Sequence, residues 1–355
     1  MQALPSVAES DLAHILSHGE TDWLDLRDER LFITGGTGFF GIWLLEAIVA
    51  ANQHLGTNIE TWVLSRNPAA FAHRSPHLAE APGIHWVAGD VTNFSFPAGT
   101  FSHVIHAATE ASATLNANQP LDMFNTITRG TERVLEFAES HATEKLLLTS
   151  SGAVYGPQPA ELPLVPETYN GAPNCLAQSS AYGEGKRVME LMGCIAAGKS
   201  PLEVKIARCF AFIGPHLPLN AHFAAGNFLR DALNRDTITV AGNGQPGRSY
   251  LYAADLIVWL LRILTKGESL RPYNVGSDCP VTIAQLAAMV AASNGHSKVE
   301  ILSPPDSNAP APRYVPEINR ARQELNLDVW ISLAESIRRT LSWLELSPLA
   351  KQPNT

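Results

Sequence analysis

Short apolar runs alternate with segments whose apolar residues recur at helical spacing through the first two thirds of the chain. Leu31-Phe32-Ile33-Thr34 reads as a buried strand, and Trp43 to Val49 as the helix that follows it. Thr61 to Leu64, Ile84 to Ala88, Val104 to Ala108 and Leu146 to Leu148 read as four further strands, with a helix near Arg129 to Ser140. A helix carrying Tyr182 and Lys186 runs to about Ala197, and Val204 to Ala207 gives another strand. Strands that alternate with helices predict an α/β fold, a doubly wound parallel sheet covered on both faces.

The flanks read differently. Residues 1–29 form a helical extension, with Leu12, Ile15 and Leu16 at helical spacing and acids between them. Beyond Gly214-Pro215 the pattern becomes irregular and rich in Pro, Asn and Gly, with later helices at Ile283 to Ala292 and Ser332 to Leu344. The expected organisation is a nucleotide-binding domain over 30–214 with a return segment near 248–275. A smaller C-terminal substrate-binding lobe covers 215–247 and 276–345, and 346–355 is a tail. At 355 residues, two packed lobes are expected rather than one core.

Composition narrows the partners. Apolar residues make up 45% and charged residues 17%, enough for a sizeable core, and the formal charge of −9 argues against nucleic acid. The most apolar helix, Leu256 to Leu264, is too short to span a bilayer, and the N-terminus shows no basic patch followed by an apolar run. A soluble, cytoplasmic protein with no membrane partner is expected. Cys175, Cys194, Cys209 and Cys279 show no metal-ligand spacing, so reduced thiols and no metal are expected.

The candidate chemistry lies in three pieces. Gly35, Gly38 and Gly41, in Thr34-Gly35-Gly36-Thr37-Gly38-Phe39-Phe40-Gly41, have the spacing of a Rossmann-type phosphate loop between strand and helix. Such a loop permits a tight turn and presents helix N–H groups to a pyrophosphate. At the end of the second strand, Ser65-Arg66-Asn67 offers a guanidinium and no carboxylate, which favours NADP while leaving NAD open. Asp90, before Val91, follows the third strand and is placed for the adenine edge. Tyr182 and Lys186 lie four residues apart, on one helix face, where an ammonium would lower the phenol's pKa and also reach the nicotinamide ribose. Ser151, ending the fifth strand, can bond the same substrate oxygen. Together they suit proton removal from an alcohol while hydride leaves the adjacent carbon.

These residues resemble the extended short-chain dehydrogenase/reductases that modify nucleotide-sugars, the NAD-dependent epimerase/dehydratase family. The resemblance covers roughly residues 30–345. It rests on the glycine loop, Gly89-Asp90-Val91, His106-Ala107-Ala108, Thr149-Ser150-Ser151-Gly152-Ala153-Val154-Tyr155-Gly156, Tyr182-Gly183-Glu184-Gly185-Lys186 and Arg248-Ser249-Tyr250-Leu251-Tyr252. It implies Ser151, Tyr182 and Lys186 as catalytic residues, and Thr37, Phe39, Phe40, Ala107 and Ala108 beside the dinucleotide. It implies Ser150, Asn227, Arg248 and Arg313 for a nucleotide-diphosphate sugar, and a homodimer built through the larger lobe's helices.

Departures from the family pattern shape the expected activity. Where the family's 4,6-dehydratases commonly carry an Asp-Glu pair, this chain has Gly152 and Ala153; the related glucuronate decarboxylases place a Glu at the second position. The leading expectation is therefore an NAD(P)-dependent nucleotide-sugar epimerase or 4-ketoreductase with Tyr182 as acid and base. The alternatives are a dehydratase or decarboxylase with atypical acid and base groups, or a non-catalytic dinucleotide sensor.

Overall fold

The computed structural model describes residues 3–108, 113–221, 223–303 and 311–348; part of the expected tail, 349–355, lies outside them. Strands β1 (Arg30–Thr34), β2 (Glu60–Ser65), β3 (Ile84–Ala88), β4 (His103–His106), β5 (Lys145–Ser151) and β6 (Glu203–Cys209) follow the apolar runs closely. With the strand Pro272–Val275 they form one seven-stranded sheet, in the order Pro272–Val275, β6, β5, β4, β1, β2, β3, all parallel. This is the doubly wound Rossmann-type α/β fold. The chain order reverses between β1 and β4, so the loops after those strands open a crevice at the sheet's C-terminal edge.

Alternate residues of each strand feed opposite helical layers. In β5, Leu147 packs towards the layer that holds the helices Phe39–Leu55 and Ala253–Lys266, whereas Leu146 and Leu148 pack towards Pro120–Ser140 and Ala181–Ala197. The two layers cover the sheet's faces and leave the strand ends towards the crevice.

The N-terminal extension belongs to the core. Ile15, Trp23 and Leu26 are buried in the layer that contains the helix Ala253–Lys266. Its buried acids are paired: Asp11 accepts from Tyr252 Oη at 2.7 Å and Arg339 Nη1 at 2.5 Å, and Asp22 from Arg262 Nε at 2.6 Å and Thr265 Oγ1 at 2.5 Å. Burial without those partners would be prohibitive for a carboxylate.

After β6 the chain builds three small sheets. Gly247–Arg248 pairs with Val281–Thr282 on one side and Arg313–Tyr314 on the other; Ile238–Val240 pairs with Val299–Ile301, and Phe212–Ile213 with Leu251–Tyr252. The first of these carries residues back to the strand ends of the large sheet. Among the described residues no helix is long and apolar enough to cross a membrane.

Candidate active site

The candidate catalytic group is assembled by close backbone approach. Ser151 ends β5 and its Oγ accepts the Ala153 N–H at 3.1 Å, capping the short turn Gly152–Tyr155. The helix Ala181–Ala197 comes down on that turn: a Cβ at Gly183 would stand 2.8 Å from the Ala153 carbonyl oxygen, and one at Gly185 would stand 2.9 Å from Ile127 Cδ1. Two small residues in one helical turn thus let Tyr182 and Lys186 reach the strand end. Tyr182 is hydrogen-bonded to Ser151, while Lys186 is buried and donates to the Thr149 carbonyl at 2.7 Å.

One expectation is corrected here. Lys186 does not depress the Tyr182 phenol in this arrangement, because its Nζ is turned to Thr149 and sits 5.9 Å from the Tyr182 ring centre. Burial pushes the phenol up to about 12, against the opposing pull of Ser151, and burial lowers Lys186 itself to about 8. The neighbouring Cys209 thiol is raised to about 12 by burial and so brings no negative charge to Lys186. Tyr182 therefore stands as the protonated partner, ready to donate.

His106, which sequence reasoning did not single out as a site residue, ties this group to the glycine loop. Burial, with Lys186 adding to it, lowers its imidazole to about 3, so it is neutral; Nδ1 meets Thr34 Oγ1 at 2.8 Å. That hydroxyl in turn accepts the Ala108 N–H at 3.2 Å, which fixes the ends of β1 and β4 together. A His at the end of an apolar strand, followed by two alanines, was the available signal.

The glycine loop tests directly whether a dinucleotide fits. Gly35 has φ +74°, and a Cβ there would lie 2.4 Å from the Ala107 carbonyl oxygen; a Cβ at Gly41 would lie 2.2 Å from the Gly36 Cα. The fold itself demands those two glycines. Gly38 differs: it is exposed, and its missing Cβ would meet nothing nearer than the Gly35 oxygen at 3.4 Å. It is the N-cap of the helix Phe39–Leu55 and supplies no side-chain cap, so no N-cap side chain takes the first N–H groups of that helix. This is a cradle that a Cβ would fill, and it suits a pyrophosphate. Thr37, Phe39 and Phe40 are partly buried around it.

At the residues expected to meet an adenosine, Ser65 is buried and its Oγ accepts the Asn67 N–H at 3.2 Å. Arg66 is exposed, and its charge acts on Asp90. Burial pushes the Asp90 carboxyl up, but the Thr92 hydroxyl and N–H, with Arg66, more than offset this and hold it below its ordinary value. The guanidinium thus has a carboxylate in its field, which weakens the case for a 2′-phosphate. Sequence reasoning also missed Arg74, whose Nη2 donates to the Thr37 carbonyl at 2.6 Å. Val91 is buried against Gly130.

The expected substrate residues divide. Arg248 is partly buried at the strand ends, 5.8 Å from the Tyr314 ring centre. Arg313 does not join it. Residues paired across strands share a face; Tyr314 pairs with Arg248, and Arg313 pairs with Gly247. Arg313 is exposed on the other face, its Cγ 3.5 Å from where a Gly247 Cβ would stand. Tyr314 takes the inward place, with Oη 3.4 Å from Ser151 Oγ. Ser150, one residue before Ser151, is turned the other way: buried, it donates to Glu190 Oε1 at 2.5 Å. Glu190 is held by Arg208 Nε at 3.0 Å and Nη2 at 2.7 Å, so Ser150 supports the scaffold rather than facing the crevice. Asn227 accepts from Arg230 Nη1 at 3.4 Å and remains partly exposed.

Gly152 borders the same centre. A Cβ there would lie 2.6 Å from Phe210 Cζ and 2.8 Å from Tyr314 Oη. Gly152→Asp is therefore expected to cost about 1–3 kcal/mol of stability by overpacking and to confer no elimination of water. Thermal melting and product analysis check both; a stable variant that dehydrates a hexose nucleotide would contradict the packing.

Comparison with known proteins agrees with this geometry. The family model of the NAD dependent epimerase/dehydratase family matches residues 31–276. UDP-glucuronic acid decarboxylase 1 of Arabidopsis thaliana is 29% identical over 313 residues, 88% of this chain and 69% of that protein. The Danio rerio protein of that name is 28% identical over 353 residues, covering 95% of this chain and 78% of its own length. Among solved structures, UDP-glucose 4-epimerase of Thermotoga maritima, solved with UDP-glucose, superposes with TM-score 0.74 at 19% identity, covering 89% of this chain and 99% of its own. The dTDP-glucose 4,6-dehydratase DesIV of Streptomyces venezuelae, solved with NAD bound, gives TM-score 0.75 at 21% identity, covering 89% and 97%. The chain belongs to the NAD-dependent epimerase/dehydratase family, whose members of known structure include enzymes that act on nucleotide-sugars.

Proposed function

We propose that this protein oxidises C4 of a nucleotide-diphosphate sugar and later returns the hydride, with NAD as the acceptor. The convergence of Tyr182, Ser151 and Lys186 at the end of β5, beside an open phosphate cradle at Gly38, carries the reading. The dinucleotide, when bound, supplies the hydride acceptor and a cationic ring that favours the tyrosinate form of Tyr182. Residues Gly35 to Gly41 and the helix N-terminus behind them would hold its pyrophosphate, Asp90 and Val91 its adenine side, Lys186 its nicotinamide ribose. Tyr182 takes the proton of the sugar hydroxyl, Ser151 orients that oxygen, and Arg248 meets the sugar's diphosphate. NAD rather than NADP is supported by the DesIV structure, which holds NAD, and by the exposure of Arg66 next to Asp90.

The fate of the C4 ketone separates two readings. The curated relatives support decarboxylation of a nucleotide-hexuronate, and this alternative now has more behind it than epimerisation. A ketone at C4 makes the C6 carboxylate a β-keto acid. Its C5–C6 bond then breaks with loss of carbon dioxide, the electron pair passes into an enolate, a proton adds at C5, and hydride returns to C4. Loss of carbon dioxide from a β-keto acid needs no protein carboxyl, so Gly152 and Ala153 do not bar it. Epimerisation or 4-ketoreduction is the second reading, supported by the same two residues, which offer no acid or base for eliminating water.

Mass analysis after incubation with NAD and UDP-glucuronate, UDP-glucose or dTDP-glucose tests this. Loss of carbon dioxide from UDP-glucuronate supports the first reading; a change of sugar configuration at constant mass supports the second. No turnover across the panel, with NAD bound, would overturn both in favour of a dinucleotide sensor.

A homodimer belongs to the proposal. The helix Ala181–Ala197 exposes Arg187, Leu191, Cys194 and Ile195 along one stripe, and Leu121 is exposed on the neighbouring helix Pro120–Ser140. Light scattering is expected to give a dimer mass for the native protein and a monomer mass for Leu191→Glu with Ile195→Glu.

A further inference from the structure

The centre holds a hydroxyl that the proposed chemistry has not used. Tyr314 is separated from Ser151 by 163 residues of chain, yet its Oη lies 3.4 Å from Ser151 Oγ and 3.5 Å from the Cys209 carbonyl oxygen. Its ring packs on Phe210 with centres 4.6 Å apart, and the pair fills the space above Gly152. The Arg248 guanidinium lies 5.8 Å from the ring centre. The phenol is thus fixed by a strand pairing, a ring contact and two polar neighbours.

Counting donors and acceptors gives these hydroxyls a direction. A serine hydroxyl has one proton and two lone pairs. One lone pair of Ser151 takes the Ala153 N–H, which leaves one lone pair and one proton for the two phenols. The chain ends on the Cys209 carbonyl, which can only accept. With Tyr182 protonated, every donor is matched in one order: Tyr182 donates to Ser151, Ser151 to Tyr314, and Tyr314 to Cys209 O. When Tyr182 loses its proton, the order must reverse, with Tyr314 donating to Ser151 and Ser151 to the tyrosinate.

We propose that Tyr314 is a positioning residue of the reacting centre, acting through Ser151 on Tyr182 in a hydrogen-bonded chain that reverses direction when Tyr182 gives up its proton. The inference rests on Tyr182 being the acid–base group. Hydrogen bonds to an ionised acceptor are about twice as strong as neutral ones, so the reversed chain gains more from Tyr314 than the resting chain does. Loss of the Tyr314 hydroxyl therefore disfavours the tyrosinate. Among the described residues, the ionisable groups that face the two phenols are Lys186 from the same helix as Tyr182, Cys209 from β6 and Arg248 from the strand paired with Tyr314; none of them is removed by changing Tyr314 to Phe.

The test uses the NAD complex with tyrosines labelled at Cζ, in wild type, Tyr314→Phe, Ser151→Ala and the double variant, with Tyr182→Phe to assign its signal. The Phe ring keeps the contact with Phe210, so only the hydroxyl is lost. The Tyr182 Cζ resonance at neutral pH is expected to move on Tyr314→Phe when Ser151 is present and to stay put in the Ser151→Ala background. An unmoved resonance, or the same movement in both backgrounds, would overturn the proposal. This readout needs no substrate, so it stands apart from the choice of reaction. With a turned-over sugar nucleotide, the acid limb of kcat/KM is expected to move up by about half a pH unit, an about threefold loss on the acid side; an unshifted limb would also count against it. If Tyr314→Phe does not fold, the Tyr314 Cζ resonance gives the contrast: it is expected to respond to Tyr182→Phe in the wild-type background and not in Ser151→Ala, and a response in both would overturn the proposal.

Discussion

Tyr182→Phe is expected to reduce turnover of a sugar nucleotide by about 10²–10⁴-fold while leaving folding and NAD affinity nearly unchanged. The size of the effect follows from the lack of a substitute. Lys186 is buried and committed to the Thr149 carbonyl. The Cys209 thiol is held neutral by burial, as is the imidazole of His106, which is occupied by Thr34. Tyr314 is the one other phenol at the centre, and burial raises it further than Tyr182. Among the described residues, the other group there that titrates near working pH is Lys186, lowered to about 8, and its Nζ is turned to the Thr149 carbonyl. Steady-state kinetics alongside calorimetric NAD titration checks this: a variant with more than about a tenth of native turnover would mean that another residue carries the proton.

The second large effect separates two glycines of one loop. Gly35→Ala places a Cβ at φ +74° and 2.4 Å from the Ala107 carbonyl oxygen, where the ends of β1 and β4 meet. Left-handed strain and backbone overlap together are expected to cost about 3 kcal/mol or more. Gly38→Ala meets only the Gly35 oxygen at 3.4 Å, and its φ of −87° suits any residue. Its stability is expected to stay within about 0.5 kcal/mol of native, while NAD affinity falls at least about tenfold because the methyl occupies the phosphate cradle. Melting curves and NAD titrations of both variants check the contrast. If Gly38→Ala bound NAD normally, the cradle would not be the pyrophosphate site.

Much of the sheet was legible because its strands are buried on both faces and read as continuous apolar runs. The edge strand Pro272–Val275 was not. Its Asn274 is wholly buried and satisfied by Tyr155, the Val165 carbonyl and the Glu317 carbonyl, partners far apart in sequence. A polar residue with distant partners interrupts the run that marks a strand. The glycine loop, Tyr182 and Lys186 were visible because each depends on local spacing.

The candidate substrate-side residues were less visible for a reason of register. Arg313 and Tyr314 adjoin, but strand alternation sends them to opposite faces, and pairing with Gly247–Arg248 decides which one turns inward. The same alternation separates Ser151 from Ser150. Nothing in the local sequence reveals a two-residue pairing between segments so far apart in the chain. The lowering of Tyr182 by Lys186 was inferred from helical spacing alone, whereas the direction of the ammonium is set by the carbonyl of β5.

Hydride transfer from the sugar is the central claim, and isotope tracing tests it most directly. A single turnover would be run with NAD and UDP-glucuronate carrying deuterium at C4, stopped before completion, with the released dinucleotide analysed by mass spectrometry. The account predicts deuterium in reduced dinucleotide during turnover and its return to C4 of the product. Product formed with deuterium never leaving the sugar would contradict it.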